Sequence, residues 1–411
     1  MSAIVEKGVD RQAMGSLSAG HLFTDVNQGA VAALIPFLAS EKGISLAAAG
    51  ALVLAATASS SIVQPLFGVF SDRKPLPILM PLGLLLAGLG ISLVGVAPNY
   101  PSLLLCVVLS GLGVAAFHPE AARYANYVSG SRRARGMSFF SVGGNAGFAL
   151  GPALATPLVI LFGLPGTLFL ALPAVAVAVV LLHELPRLRT FQPEVVEEKE
   201  IVSGSGKANA PEAWWPFARM VGVVTLRSLV YFGMITFVAI YYERVFGASK
   251  ALGNTALTVM LAAGAVGTLV MGPLADRFGR RVVLAASMLF LAPLIYVFTL
   301  SGPLFGLVVL ALVGAAMIGT FGVTVVMGQE YLPSRIGLAA GITMGFSIGL
   351  GGLGAPLLGV VADRYDLTTA MLTVAALPVL GLLLTLTLPS KARKSSGAIY
   401  LLTPNKGRTA F

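Results

Sequence analysis

His21 and Asp25 stand four residues apart, so a helix carries both on one face, and Gln28 continues that face. An imidazole beside a carboxyl group is a proton-handling pair, because a carboxyl group takes up or releases a proton as its surroundings change. The bland reading is a static helix–helix hydrogen bond. A second group, His118-Pro119-Glu120 with Arg123, allows two readings. Glu120 and Arg123, three apart, are either the rest of a proton relay or a buried ion pair holding a bend at Pro119. Arg227 offers a fixed cation whose planar fork suits a phosphonate or carboxylate, and Tyr231 follows one turn later on the same face. Its alternative role is to neutralise Asp25.

The remaining chemistry-bearing residues exclude more than they include. Cys106 is the single cysteine, so there is no disulfide framework, and no metal-ligand spacing appears. There is no Walker A sequence and no nucleophile elbow. An enzyme is not expected, and neither is a metal or any other cofactor.

These few polar groups sit in a very apolar chain. Of 411 residues, 56% are hydrophobic and only 11% charged, with a mean hydropathy of +0.89. Soluble domains carry about 25% charged residues, so this is a polytopic membrane protein. Disorder, collagen-like repeats, coiled coil and a soluble enzyme are excluded. The net charge of +10 does not mark a nucleic-acid binder, because the basic residues lie in short loops between apolar spans rather than on one solvated face. No cleavable secretory signal is read at the start, where the first apolar run continues as a full span.

A hydrocarbon core of about 30 Å needs about 20 apolar residues in a helix. Twelve spans follow: 15–39, 44–70, 78–97, 101–127, 137–162 and 164–184, then 215–242, 250–275, 281–300, 303–328, 337–362 and 368–389. The organisation is an N-terminal segment 1–14, a six-helix half 15–184, a charged Gly/Ser-containing linker 185–214, a second six-helix half 215–389 and a tail 390–411. Asp25 then lies about 15 Å and Arg227 about 18 Å into their spans, at a rise of 1.5 Å per residue. A charge at such depth costs about 2.5–3.5 kcal/mol on insertion scales, so each is expected to have a partner or a task. His183, at the end of span 6, reads as interfacial. With the N-terminus inside, the inner segments hold twenty Lys/Arg and the outer loops four; this bias places both termini in the cytoplasm.

The halves echo each other. Gly68, Asp72 and Arg73 after span 2 match Gly272, Asp276 and Arg277 after span 8, offset by 204 residues. Paired six-helix halves with a site between them near the midplane are a recurrent transporter architecture.

The run Gly272, Asp276, Arg277, Gly279, Arg280, Arg281 resembles the signature loop of the major facilitator superfamily. The first copy, Gly68-Asp72-Arg73, lacks the Gly-Arg-Arg continuation. Gly is read as allowing close helix approach, Asp as a cap or pair at a helix end, and the arginines as anchors. A finer resemblance is to the fosmidomycin-resistance family. It rests on His21 to Asp25, Gln64-Pro65, Phe117 to Glu120, Gly143-Gly144-Asn145 with Gly147, Arg227 to Gly233, and Gln329 to Gly337 with the glycine-rich run to Asp363. Gly147, Gly151 and Pro152 are similar to the motif of superfamily antiporters, although ordinary packing also explains such glycines.

The resemblance implies an all-α membrane protein with the major facilitator fold, and a drug exporter driven by proton influx. The expected proton-coupling set is Asp25, His21, His118, Glu120 and Arg123; the expected substrate contacts are Arg227, Tyr231, Gln28, Gln64 and Asn145. The expected gating set is the two loop motifs with Gly147, Gly151 and Pro152. The rivals are an uptake symporter for an organic anion and a non-transporting sensor. Expected partners are a small anionic or amphiphilic molecule, protons and the lipid of a bacterial cytoplasmic (inner) membrane, with a monomeric chain and no nucleic acid.

Overall fold

A computed structural model describes residues 9–64, 66–67, 76–130, 133–191, 212–333, 335, 338–339 and 341–389. Gly68, Asp72 and Arg73 of the first loop motif therefore lie outside the described residues, as do most of the linker and the tail.

Twelve helices follow in order, with no strand among the described residues. The first half holds α1 (Arg11–Glu41), α2 (Leu46–Ile62), α3 (Leu79–Val96), α4 (Tyr100–Val128), α5 (Arg133–Phe162) and α6 (Leu164–Arg189). The second holds α7 (Trp214–Arg244), α8 (Lys250–Phe278), α9 (Arg280–Leu300), α10 (Pro303–Tyr331), α11 (Gly341–Phe346, Ser347–Gly352, Gly354–Arg364) and α12 (Leu367–Leu386). Ten are long and apolar enough to cross a membrane, α2 is a shorter apolar helix, and α11 is built in pieces. The expected twelve-helix, two-half architecture is present.

The departures from continuous spans have local causes. In α2 the helix widens into a π-helical turn at Ala58–Ile62. There the hydroxyls of Thr57, Ser59 and Ser60 donate to carbonyls of the preceding turn, which competes with the regular ladder. In α10 the helix breaks at Thr320, whose backbone sits at φ −91°, ψ 4°. In α11 Gly349, Gly351, Gly352 and Gly354 crowd the middle of the span, and glycine is a poor helix former. The first turns of α6 are 3-10. Pro119, by contrast, is accommodated inside an unbroken α4.

Glycine decides how α1 meets α5. A Cβ on Gly147 would stand 2.0 Å from the Leu22 carbonyl oxygen, and one on Gly151 2.6 Å from the Ala30 nitrogen. On the facing helix, a Cβ on Gly29 would stand 2.2 Å from the Phe148 carbonyl oxygen. Only backbones without side chains approach so closely.

Two ends are distinguished by connectivity. At the end that the expected topology makes the outer one, where α1 turns into α2 and α7 into α8, the halves are joined: Asn254 Nδ2 donates to the Ala33 carbonyl at 3.0 Å, and Lys250 donates to Ser40. The Asp363 carboxylate receives the amides of Leu46 and Ala47. These four hydrogen bonds between the halves all lie at the outer end.

At the opposite, inner end Asp10 caps α1, accepting from Ala13 N at 3.0 Å and from Arg187 Nη2 of α6 at 2.8 and 3.0 Å. This explains why α1 starts at Arg11, earlier than its apolar run, and why α6 runs on to Arg189. Partial burial pushes the Asp10 carboxyl up, but the Ala13 amide and Arg187 outweigh it, so its pKa is lowered from 3.8. A lowered carboxylate pKa contributes stability above the unfolded value and loses it as pH falls through the folded one. The melting-temperature deficit of Asp10→Asn is therefore expected to be constant above about pH 5 and to shrink toward about pH 3; thermal melts across that range check it.

Candidate functional site

One cavity of about 930 Å³ lies between the halves. Its walls come from the middle and inner portions of α1, α2, α4, α5, α7, α8, α10 and α11, so it faces the inner end, while the outer third of the same helices is packed. His21, Asp25, His118, Gln28, Gln64, Asn145, Arg227 and Tyr231 all line it. Residues spread over more than two hundred positions are thus brought to one space.

On the first half, Asp25 (9% exposed) sits between two imidazoles. Its Oδ1 lies 3.1 Å from His118 Nε2 and its Oδ2 3.4 Å from His21 Nε2. The other ring nitrogens are fixed by the backbone: His21 Nδ1 bonds the Phe140 carbonyl at 2.8 Å, and His118 Nδ1 the Val114 carbonyl at 2.9 Å. A carbonyl oxygen only accepts, so Nδ1 carries the hydrogen in both rings, and each neutral Nε2 presents a lone pair. Two lone pairs facing a carboxylate repel it. Each gap becomes favourable only with a proton in it, on the imidazole or on the carboxyl group. The arrangement has the geometry that a proton store would need.

Gly144 makes room for that arrangement. A Cβ there would lie 2.4 Å from His21 Nε2 and 2.7 Å from Asp25 Oδ2. Gly144→Ala is expected to displace the carboxylate and remove most transport while the protein still folds. Gly147→Ala, which meets backbone instead of flexible side chains, is expected to lower the folded yield. Transport rate and thermal stability, measured together for both variants, check this contrast.

On the second half, Arg227 is 1% exposed. Its Nη1 donates to Thr320 Oγ1 at 3.0 Å and its Nη2 to Thr324 Oγ1 at 3.4 Å. The Phe321 ring lies 4.1 Å from its Cζ, a cation–π arrangement. Nε has no hydrogen-bond partner. Among the described residues no carboxylate pairs with Arg227, and Asp25 is engaged by the histidines instead. The neutralising role for Asp25 is not what this conformation displays. A buried guanidinium served only by hydroxyls and a ring keeps its charge available to a ligand. Tyr231 packs in an aromatic group with Phe148, Phe232 and Phe321, and Gln28 Nε2 donates to Ser60 Oγ at 3.3 Å.

Glu120 and Arg123 stand apart from this cavity. Glu120 is 0% exposed, and its Oε1 accepts the Leu76 amide at 2.7 Å and lies 3.9 Å from Arg123 Nη1. It therefore ties α4 to the segment leading into α3. In the second loop motif, the Asp276 side chain is 76% exposed and 3.9 Å from Arg280, which also pairs with Glu330. Arg277 lies over the Phe278 ring, and Arg281 donates to the Leu386 carbonyl. Gly279 takes φ +95° at the turn between α8 and α9. A Cβ on Gly272 would meet nothing within 4 Å, so close helix approach does not describe it in this conformation. His183 is exposed, as an interfacial residue would be.

Thr320, Phe321, Thr324 and Gly144 join the site only through the folded structure. For the two threonines a signal exists in the sequence: two hydroxyls four apart in an otherwise apolar span fall on one helix face. The donor atoms of His21, Asp25 and His118 lie within 4.8 Å of one another, a spacing within reach of a divalent cation.

The sequence matches the Major Facilitator Superfamily over residues 17–252 and 220–400. It is 33% identical over 369 residues to the MFS-type transporter YfnC of Bacillus subtilis (strain 168), covering 88% of this chain and 89% of that protein. It is 32% identical over 392 residues to the fosmidomycin resistance protein of Escherichia coli (strain K12), covering 93% of each. Its fold resembles an inward-facing, unoccupied bacterial homologue of the human lysosomal transporter Spinster, with a TM-score of 0.75 at 15% identity, over 92% of this chain and 97% of that one.

Proposed function

This chain belongs to the Major Facilitator Superfamily, and from that premise we propose that it exports a small anionic or amphiphilic drug in exchange for protons, by alternating access. The observation that carries the reading is the arrangement of one cavity: Asp25 between two imidazoles on the first half, and an unneutralised Arg227 on the second. A cavity that holds protons on one wall and a fixed cation on the other has a place for both ligands of an exchanger. Similarity to the fosmidomycin resistance protein of Escherichia coli supports a drug as the exported species. On this reading the protein is a monomer in a bacterial cytoplasmic membrane, with both termini inside, as the Lys/Arg bias requires.

Protons arriving from outside fill the gaps between Asp25 and the histidines, and the halves rock to face the cytoplasm. An anionic ligand then enters against Arg227, Tyr231 and the polar positions Gln28, Gln64 and Asn145. Its negative charge is matched by Arg227 on the opposite wall, and release of the protons inward follows from water reaching the store once the cavity is open. A population shift of this kind requires only that each ligand bind the two conformations unequally.

Proteoliposome transport with an imposed pH gradient tests the reading. Opposite movement of protons and fosmidomycin is the expected result. Movement in the same direction would establish the uptake symporter instead, and movement indifferent to the gradient would remove the proton store from the mechanism.

A further inference from the structure

The pattern Gly-x-x-x-Asp-Arg, present at Gly68-Asp72-Arg73 and Gly272-Asp276-Arg277, occurs a third time at Gly359-Asp363-Arg364. This copy closes α11 and lies at the outer end, on the opposite side of the molecule from the copy that closes α8. Each half of this superfamily contains a 3+3 inverted repeat, so the end of α11 is the inverted counterpart of the end of α8.

The two described copies are in different states. At the inner copy Gly272 faces open space and Asp276 is largely exposed. At the outer copy both residues are engaged across the seam between the halves. A Cβ on Gly359 would lie 2.5 Å from the Leu46 carbonyl oxygen and 2.6 Å from Ala47 Cα. Asp363 Oδ1 accepts the Leu46 amide at 2.9 Å, and Oδ2 the Ala47 amide at 2.8 Å. Ser45, the residue before α2, accepts the Ala48 amide at 3.1 Å. The opening amides of α2 are thus divided: one is capped by its own chain segment, and two by the other half of the protein. A helix start leaves such donors unsatisfied and carries a partial positive charge, so a carboxylate there is favourable twice over.

We infer that Gly359 and Asp363 form an outer latch on the N-terminus of α2 that holds this inward-facing conformation. The glycine admits the helix start, and the carboxylate replaces water on its first two amides. When the outer end opens, both amides return to solvent and Asp363 is released. The latch acts within one protein chain and favours one conformation over another. It rests only on the two-state architecture of the family, and its test does not depend on substrate or transport direction.

The test reads conformation directly. Spin labels replace the exposed Glu41 and Arg244 at the outer end, and Arg189 and Phe278 at the inner end, in a Cys106→Ser background. Distance distributions by electron–electron double resonance are compared for the otherwise unchanged protein, Asp363→Ala, Gly359→Val and Ser45→Ala. Asp363→Ala and Gly359→Val are expected to raise the ratio of outer-open to outer-closed molecules about fivefold or more, the size of a typical lost helix cap. Ser45→Ala removes a cap without touching the seam and is expected to leave that ratio unchanged. If Asp363→Ala folds poorly, Asp363→Asn reads the same contact through a smaller shift, since it keeps the shape and one acceptor oxygen. Unshifted outer distances in the Asp363 variant, or an equal shift from Ser45→Ala, would overturn the latch.

Discussion

Proteoliposomes carrying Asp25→Asn are expected to show no more gradient-driven drug transport than protein-free vesicles, with folded yield unchanged. The amide has nearly the shape of the carboxyl group but does not take up or release a proton. In the native site the two Nε2–oxygen gaps, at 3.1 and 3.4 Å, each need a proton to be favourable. An asparagine amide can satisfy one lone pair by donating to it, so the pair of gaps no longer changes its proton content as the site demands. Drug-induced thermal stabilisation is expected to survive, because Arg227, the fixed charge that would hold the anion, lies on the other half and a ligand that binds the folded state still raises its apparent stability. Measuring both properties separates a lost carrier from a lost fold. Undiminished efflux by this variant would end the proton-carrier role of Asp25.

The second large effect belongs to Arg227. Arg227→Ala is expected to weaken binding of an anionic ligand roughly ten- to a hundredfold, the range that follows from losing one charged hydrogen-bonding group. A neutral ligand of similar size is expected to bind unchanged. Thr324 is not orphaned by the substitution, because its hydroxyl also donates to the Phe321 carbonyl at 2.8 Å. Arg227→Lys keeps the charge and loses the fork, so it should fall between the two. Calorimetry with fosmidomycin and with an uncharged analogue resolves the three proteins. Equal anion affinity in Arg227→Ala would make the residue structural and remove it from substrate recognition.

Much of this architecture is written in the sequence, because a bilayer imposes a length and an apolar composition on each crossing and leaves its mark on loop charge. His21 and Asp25 are legible as a pair by spacing alone. His118 is not: its arrival beside Asp25 depends on how α4 packs against α1, which no local pattern encodes. Glu120 shows the converse. Its spacing from Arg123 suits a relay and a brace equally, and it is the folded structure that places the Leu76 amide on its Oε1 and so ties it to the chain entering α3. Gly272 reads as a packing glycine, yet in this conformation it faces open space, since a sequence motif does not specify which of two states is occupied. The breaks in α10 and α11 are hidden for a related reason. Hydropathy averages over a span and is insensitive to a single residue such as Thr320 that leaves the helical geometry.

The groups proposed to handle protons all belong to one half, and the buried cation with its threonines and Phe321 belongs to the other. Their supports are equally separate: α1 and α5 are locked by backbone contact at Gly29, Gly147 and Gly151, whereas Arg227 leans on α10. Inheritance can therefore act on them independently. On the proposed reading, exchanges at Phe321 or Thr324 would redraw the range of compounds accepted without unsettling the wall opposite. A lineage under pressure from a new toxin would then adapt by small changes on one side of the molecule, keeping its engine while altering its cargo.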